Sequence, residues 1–363
     1  MHNVLNNWDL KDIILLSFIK TINSKKKREL IEKYDSFYDF INTDANKQTY
    51  LFDEPVSKYF DEIDRQLDLC DKNNVQIITL WDDIYPTLLK TIDNPPILLY
   101  IKGALQSKDA YSISIVGTRR CSTYGRICAE NFVKTLTAHN IIITSGLAYG
   151  IDSVAHKETV KNKGITYAVL ASGIDKIQSE VSQKLSEEIV SNGGAIISEY
   201  RCGTTSRPGY FPQRNRIISG ISKATLVIES AKKGGSLITA RFAQEQGREV
   251  FAIPGAIGSE KSAGCNWLIH NNTATLALSP QNMLIDLGIV SPETEKEHDS
   301  DTIELKFNST EEKEVYLALS SEPQSVDLLA EKTNIEISEL LVILLDMEFS
   351  GLIRQLPGKL YIK

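Results

Sequence analysis

Two rhythms of apolar residues divide this chain. Over the first hundred residues they recur at helical spacing: Leu10 to Ile22 carries one apolar face, Lys25 to Tyr34 is charged and amphipathic, and Pro55 to Lys72 repeats the pattern. These segments predict a small helical domain. A strand is expected next at Val75 to Leu80, then Tyr85-Pro86 and Pro95-Pro96-Ile97-Leu98-Leu99-Tyr100, where the prolines force an extended connector.

From Ser112 the rhythm changes to short, continuous apolar runs separated by segments of helix length. Strands are expected at Ser112 to Val116, Ile141 to Thr144, Thr166 to Ala171, Ala195 to Ser198, Thr225 to Ile228 and Val250 to Ile253. Strands apolar on both faces belong in a parallel sheet covered by helices. In such sheets ligands bind beyond the carboxyl ends of the strands, where Gly117, Gly146, Gly173 and Pro254-Gly255 fall. Ser291 to Ser309 is acidic, polar and nearly free of aromatic residues, the composition of a linker. Three helices then follow at Thr310 to Leu319, Ser325 to Thr333 and Ile337 to Phe349. A hairpin joins Leu352 to Leu356 with Lys359 to Ile362, which is the order of a winged helix. The expected fold is α/β, a Rossmann-like parallel-sheet core with a small N-terminal helical domain and a C-terminal winged-helix domain. The expected division is a helical domain and connector at 1–105, the core at 106–289, an acidic linker at 290–308 and a winged-helix-like domain at 309–363.

Composition narrows the function. The 363 residues are 42% hydrophobic, enough for a substantial core. No apolar run approaches the roughly 20 residues needed to span a bilayer, and the amino terminus lacks a signal-peptide pattern. A cytoplasmic protein with no membrane partner is therefore expected. The five cysteines form no CxxC pair and the five histidines show no ligand spacing, so reduced thiols and no metal are expected. The net charge of −7 is uneven: from Val290 onward there are 16 acidic and 7 basic residues, whereas Arg201 to Glu249 holds nine Lys or Arg against three Glu. A strand of phosphates responds to the local field, so the basic segment points to nucleic acid unless its cations are dispersed over a solvated surface. The acidic winged helix, whose groove-facing helix opens with Glu336 and Glu339, fits a protein-contact or regulatory role better than duplex binding.

Four motifs carry the candidate chemistry. In Val116-Gly117-Thr118-Arg119-Arg120 the glycine permits a tight turn, Thr118 and Ser122 offer hydroxyls and Arg119 a planar fork for phosphate; the alternative is a glycine that only lets a helix pack close. Ser145 to Asp152 is a second glycine loop, in which Asp152 suits an N-cap and His156 is a lone helical histidine, packed or acting as a base. In Phe211 to Arg216 the ring can stack on a base, Arg214 and Arg216 can reach phosphates or pair with Glu199 and Glu229, and Asn215 can brace the loop. Gly234 to Arg241 opens a helix: Gly235 and Ser236 present amides at its positive end, and Arg241 faces DNA or Glu245. There is no GxGxxG and no GxxxxGK[ST], so no dinucleotide cofactor or P-loop nucleotide is expected. No nucleophile stands beside a base.

The series YPTLLKTIDNPPILLYIKG, VGTRRCSTYG, SGLAYGIDSVAH, FPQRNRIISG, GGSLITARFAQEQGREVFAIPG and GCNWLI, in order over residues 85 to 270, resembles the DNA-processing protein A (DprA/Smf) family. The resemblance implies a core that binds single-stranded DNA without strong sequence preference, forms a homodimer through that core and loads the recombinase RecA in natural transformation, with no cofactor and no catalytic turnover. By motif the DNA site would comprise Gly117, Thr118, Arg119, Phe211, Arg214, Asn215, Arg216, Gly235, Ser236 and Arg241. The chain departs from the family at Ser172 to Gln178, which lacks an aromatic-proline step, and at Asn271-Asn272-Thr273, which replaces a glycine-containing turn. The competing reading is a nucleoside monophosphate phosphoribohydrolase, with Glu199 or Glu245 as its carboxylate, although the proline-glycine-glycine-glycine-threonine signature is missing.

Overall fold

The computed structural model describes residues 8–19, 21–43, 56–107, 110–177, 179–291, 309–320, 322–349 and 352–363. Nearly all of the acidic segment expected as a linker, and the first seven residues, lie outside them. The chain divides into two compact units, Met1–Val290 and Ser291–Lys363.

The first unit begins with helices α1 (Leu10–Phe18), α2 (Ser24–Lys33), α3 (Phe37–Asn42) and α4 (Val56–Lys72). Asp9 and Asp12 form a reciprocal capping box at the start of α1, and Ile13 to Leu16 are fully buried, so this helix is enclosed rather than amphipathic. Its apolar cluster is shared with Leu147, Ala168, Leu170 and Ile196 of the sheet region. The helical segment and the sheet region therefore share one core, and packing shows no break near residue 105.

Nine strands form one sheet: β1 (Gln76–Thr79), β2 (Leu98–Gly103), β3 (Ser112–Gly117), β4 (Ile142–Ser145), β5 (Thr166–Leu170), β6 (Ala195–Ser198), β7 (Ala224–Ile228), β8 (Glu249–Ala252) and β9 (Thr275–Leu276). Their order is β1-β2-β6-β5-β4-β3-β7-β8-β9. Strands β3 to β9 pair in parallel, whereas β2 runs antiparallel to both β1 and β6. The sheet is thus mixed, and the stretch expected as a connector supplies β2. The prolines remove donors only before the strand starts, leaving Leu98 to Ile101 free to pair and to bury their side chains.

Helices α5 (Thr87–Lys90), α6 (Thr123–Ala138), α7 (Ile151–Lys161), α8 (Glu180–Ser191), α9 (Tyr210–Ile221), α10 (Ser236–Glu245), α11 (Ala263–His270) and α12 (Pro280–Asp286) complete the unit. Alternate strand residues feed opposite faces: Ile113 and Ile115 join one apolar cluster, Val116 and Ile142 another. Where a glycine turn is missing, Asn272 itself adopts φ +54 and Thr273 N–H closes on Leu268 O at 2.9 Å. Asparagine is among the few residues that tolerate this left-handed conformation.

The chain steps from β3 through β6 in one direction and then returns to lay β7 on the other side of β3. This reversal sends the helices that follow β3 and β7 to opposite faces of the sheet, and a crevice beyond the carboxyl ends of the strands is expected at such a switch point.

In the second unit α13 (Thr310–Ala318), α14 (Val326–Thr333) and α15 (Ile337–Phe349) enclose Val315, Leu329, Leu340 and Leu344. A three-stranded sheet of β10 (Gln324–Ser325), β11 (Arg354–Leu356) and β12 (Leu360–Ile362), ordered β10-β12-β11, completes the winged helix. The two-residue β10 is too short to leave a periodic signal.

Candidate nucleic-acid interface

The loop after β3 is closed by its own backbone. Thr118 N–H donates to Glu229 O at 2.9 Å, Thr118 O accepts from Ile151 N–H, and Thr118 Oγ1 accepts from Arg120 N–H. Gly117 is required by packing, because a Cβ there would lie 2.0 Å from Ile228 O and 2.6 Å from the Ile151 side chain. The Thr118 amide is thus committed to Glu229, while its hydroxyl oxygen accepts from Arg120. What the turn achieves is to project Arg119 into solvent.

Ser122 is also committed. It caps α6 by accepting from Gly125 N–H, its hydroxyl donates to Glu229, and its amide donates to Glu229 Oε2 at 2.8 Å. The buried Glu229, held at φ +54, thus joins the loop after β7 to the helix after β3. Only its unusual backbone marks it, and nothing in the sequence announces that.

The FPQRNR motif is helix, not loop. It fills the first two turns of α9, and Pro212 is accommodated because first-turn amides need no intrahelical acceptor. The helix sends its side chains to different places. Phe211 is half-buried, and its ring centroid lies 5.2 Å beneath the Arg119 guanidinium carbon. Arg214 turns inward and is only 4% exposed: Nη1 donates to Gly146 O at 2.6 Å and to Val169 O, and Nε to Asn215 Oδ1. Its guanidinium fills the space a Cβ on Gly146 would need. Asp152 sits close by, accepting from Gly146 N–H at 3.1 Å, while the N-cap of α7 is Gly150 at φ +80 rather than Asp152. Burial lowers Arg214 to about 10, a shift opposed by Asp152, and raises Asp152, a shift opposed by Arg214. Arg214 therefore ties the loop after β4 to strand β5, with the Asp152 carboxyl as a nearby opposite charge.

Arg216 points away from Arg119. Its Nη2 donates to both oxygens of Glu199 at 2.6 and 2.8 Å. Of the two pairings open to these arginines, that with Glu199 forms and that with Glu229 does not. Asn215 places Nδ2 3.5 Å from Gly235 O and braces α9 against the start of α10.

At α10, Gly235 is the N-cap and has open space where a side chain would stand. Among the described residues no acceptor meets the amides of Gly235 and Ser236, which lie at the positive end of the helix. The Ser236 hydroxyl is buried against Ser230 Oγ at 2.8 Å. Arg241 lies two turns further along, 3.5 Å from Glu245, and does not join the crevice. His156 is fully buried. Because Thr166 Oγ1 donates to Ile143 O, it must accept from His156 Nδ1–H, leaving Nε2 unprotonated and without a partner. Burial, helped by Arg214, lowers its pKa to about 3. It cannot serve as a base.

The motif residues therefore separate. Arg119 and Phe211 meet at the carboxyl end of the sheet, Asn215 ties α9 to the Gly235–Ser236 helix start, and Arg120, Lys232 and Lys233 are exposed on the loops after β3 and β7. Among the described residues no carboxylate pairs with Arg119, Glu199 is engaged by Arg216 and Glu245 lies on the exposed side of α10. Groups able to hold a metal ion are likewise absent from the described residues, as is any helix long and apolar enough to cross a membrane.

Comparison with known proteins points the same way. Residues 76–288 match the model for DNA recombination-mediator protein A, and residues 297–359 match the DprA winged helix domain. The chain is 36% identical to protein Smf of Escherichia coli over 303 residues, 82% of this chain and 79% of that one. It is 38% identical to the DNA processing protein DprA of Streptococcus pneumoniae over 57% of this chain and 73% of that one. The solved structure of Streptococcus pneumoniae DprA superposes with a TM-score of 0.62 at 30% identity, covering 76% of this chain and 96% of the other. That of DNA processing protein A from Helicobacter pylori, described by its single-stranded DNA binding mode, gives 0.53 at 28% identity over 58% and 95%.

Proposed function

This chain belongs to the DNA recombination-mediator protein A family, and from that membership we propose that it binds single-stranded DNA in the crevice between the loop after β3 and the starts of α9 and α10. The observation that carries the reading is Arg119: exposed, free of any carboxylate among the described residues and stacked on Phe211 at the point where the sheet reverses direction. A base placed against Phe211 would gain about 1–3 kcal/mol of stacking. Its phosphate would meet the Arg119 fork and the open amides of Gly235 and Ser236. Every base has a stacking face, so such a site carries little sequence preference.

Among the described residues no carboxylate pairs with Arg119, and Glu199 is engaged by Arg216, which supports holding the strand rather than cutting it. In this reading the protein takes part in DNA processing during natural transformation, delivers the coated strand to the recombinase RecA, pairs with a second copy through its sheet-bearing unit, works in the cytoplasm and turns over no substrate. Arg214 and Arg216 support the site from behind. The acidic winged helix would serve a protein contact, since Ile337, Leu341, Val342 and Leu345 are exposed along α15. The test compares single-stranded with duplex DNA across a salt series. Preference for the single strand with a steep salt dependence is expected, and a preference for duplex would overturn the assignment.

A further inference from the structure

Beside α9 lies a second concavity, a cleft of about 1150 Å³ between the N-terminal helices and the loop after β6. Its walls are built for a polar ligand. Lys27, Arg65, Arg201, Arg207 and Arg216 line it against only two carboxylates, Glu62 and Glu199. Glu199 is spent on Arg216, and Glu62 is shared between Arg201 at 3.4 Å and Arg65 at 3.6 Å. Arg207 is exposed and has no ion pair among the described residues. The positive charge left over is what a phosphate backbone would neutralise.

Aromatic surface accompanies the charge. Tyr200 and Tyr210 stack with centroids 4.3 Å apart and planes inclined by 22°. Phe18 lies under the Arg201 guanidinium at 4.9 Å. Three cleft-lining side chains also carry buried polar atoms without a hydrogen-bond partner among the described residues: Gln66 Oε1, the Tyr100 hydroxyl and Arg216 Nη1, on residues 2%, 1% and 9% exposed.

The cleft adjoins the crevice. Tyr210 and Phe211 are consecutive in the first turn of α9, and successive helical residues diverge by about 100°, so one lines the cleft while its neighbour lies under Arg119. Only strands β5 and β4 separate β6, whose loop forms the cleft wall, from β3, a distance of ~14 Å at the usual strand spacing.

We propose that a single strand held at Arg119 and Phe211 continues over the first turn of α9 into this cleft, so that the N-terminal helices form the second half of one extended binding track. This rests on the reading of the crevice given above. It assigns the helical region a direct DNA contact and makes the stacked tyrosines a platform for the bases beyond Phe211.

The experiment measures affinity for oligothymidylates of increasing length, with the intact chain and with Arg65→Ala/Arg207→Ala, both on exposed side chains whose loss spares the fold. The wild type should gain affinity beyond the shortest length that binds. The variant should match it on that shortest length, lose about tenfold on long strands, and show a long-strand salt slope smaller by about 1.4, the counterions of two phosphates. A variant that follows the wild type at every length would overturn the track and leave the crevice reading standing. So would thymidine monophosphate binding that needs Arg65 and Arg207 while oligonucleotide affinity shows no length dependence, because the cleft would then be a separate small-molecule site. Arg119→Ala/Phe211→Ala distinguishes the other failure: if it binds every length as the wild type does, the crevice assignment falls, and the track with it.

Discussion

The guanidinium of Arg119 rests 5.2 Å from the centroid of the Phe211 ring, joining the turn after β3 to the first turn of α9. The contact keeps a flexible cation in place without neutralising it, because a ring supplies attraction but no counter-charge. The planar fork and the ring face are therefore presented together. Arg119→Lys keeps the charge and loses the fork and the flat stacking surface. Severalfold weaker binding of single-stranded DNA with a nearly unchanged salt slope is expected from an anisotropy titration.

Arg214 should behave differently from Arg119 although both lie in the motifs that define the site. Removing a buried guanidinium orphans Gly146 O and Val169 O and leaves Asp152 without its cation. Arg214→Ala should cost about 1–3 kcal/mol in urea unfolding, the range for leaving a buried acceptor unsatisfied. Arg119→Ala, at an exposed position, should change stability by about 0.5 kcal/mol or less.

Two glycines of the motifs should separate in the same way. Gly117→Ala forces a Cβ to 2.0 Å from Ile228 O, against backbone that cannot yield, whereas a Cβ on Gly235 meets nothing within 4 Å. Thermal unfolding should show the first variant losing about 1–3 kcal/mol or more and the second losing at most about 1 kcal/mol at its capping position.

His156 sets a pH dependence of known sign. Its folded pKa of about 3 lies below the unfolded 6.5, so in that window the unfolded chain binds a proton that the folded chain refuses. Its contribution to stability is complete above pH 6.5 and is lost as pH falls towards 3, by about 1.4 kcal/mol per unit. Asp152, whose pKa is raised, acts in the opposite sense above 3.8. Comparison with His156→Gln isolates the histidine: the variant should start less stable and show a flatter decline between pH 6.5 and 4.

Much of this molecule is legible in its sequence because parallel strands buried on both faces leave unbroken apolar runs, and the six strands β3 to β8 lie where those runs lie. The failures are instructive. Strand β2 is hidden by two prolines that precede it, and its antiparallel pairing with β6 is a tertiary fact. The glycine and arginine motifs correctly mark one end of the sheet, but not which arginine faces solvent. Arg119 and Arg214 are equivalent by residue type. Only the helical phase of α9 turns Arg214 towards Gly146 and Arg216 towards Glu199. The Tyr200–Tyr210 stack escapes sequence reasoning, and Glu229, readable there only as an arginine partner, instead binds Ser122 because the strand order lays β7 beside β3.

The most direct measurement is the affinity of Arg119→Ala/Phe211→Ala for a single-stranded oligonucleotide over a range of salt, with unfolding followed in parallel. Removing one phosphate contact and one stacked base predicts weaker binding and a salt slope reduced by about 0.7, in a protein that stays folded despite the loss of the half-buried Phe211 ring. Wild-type affinity and slope in a folded double variant would contradict the account.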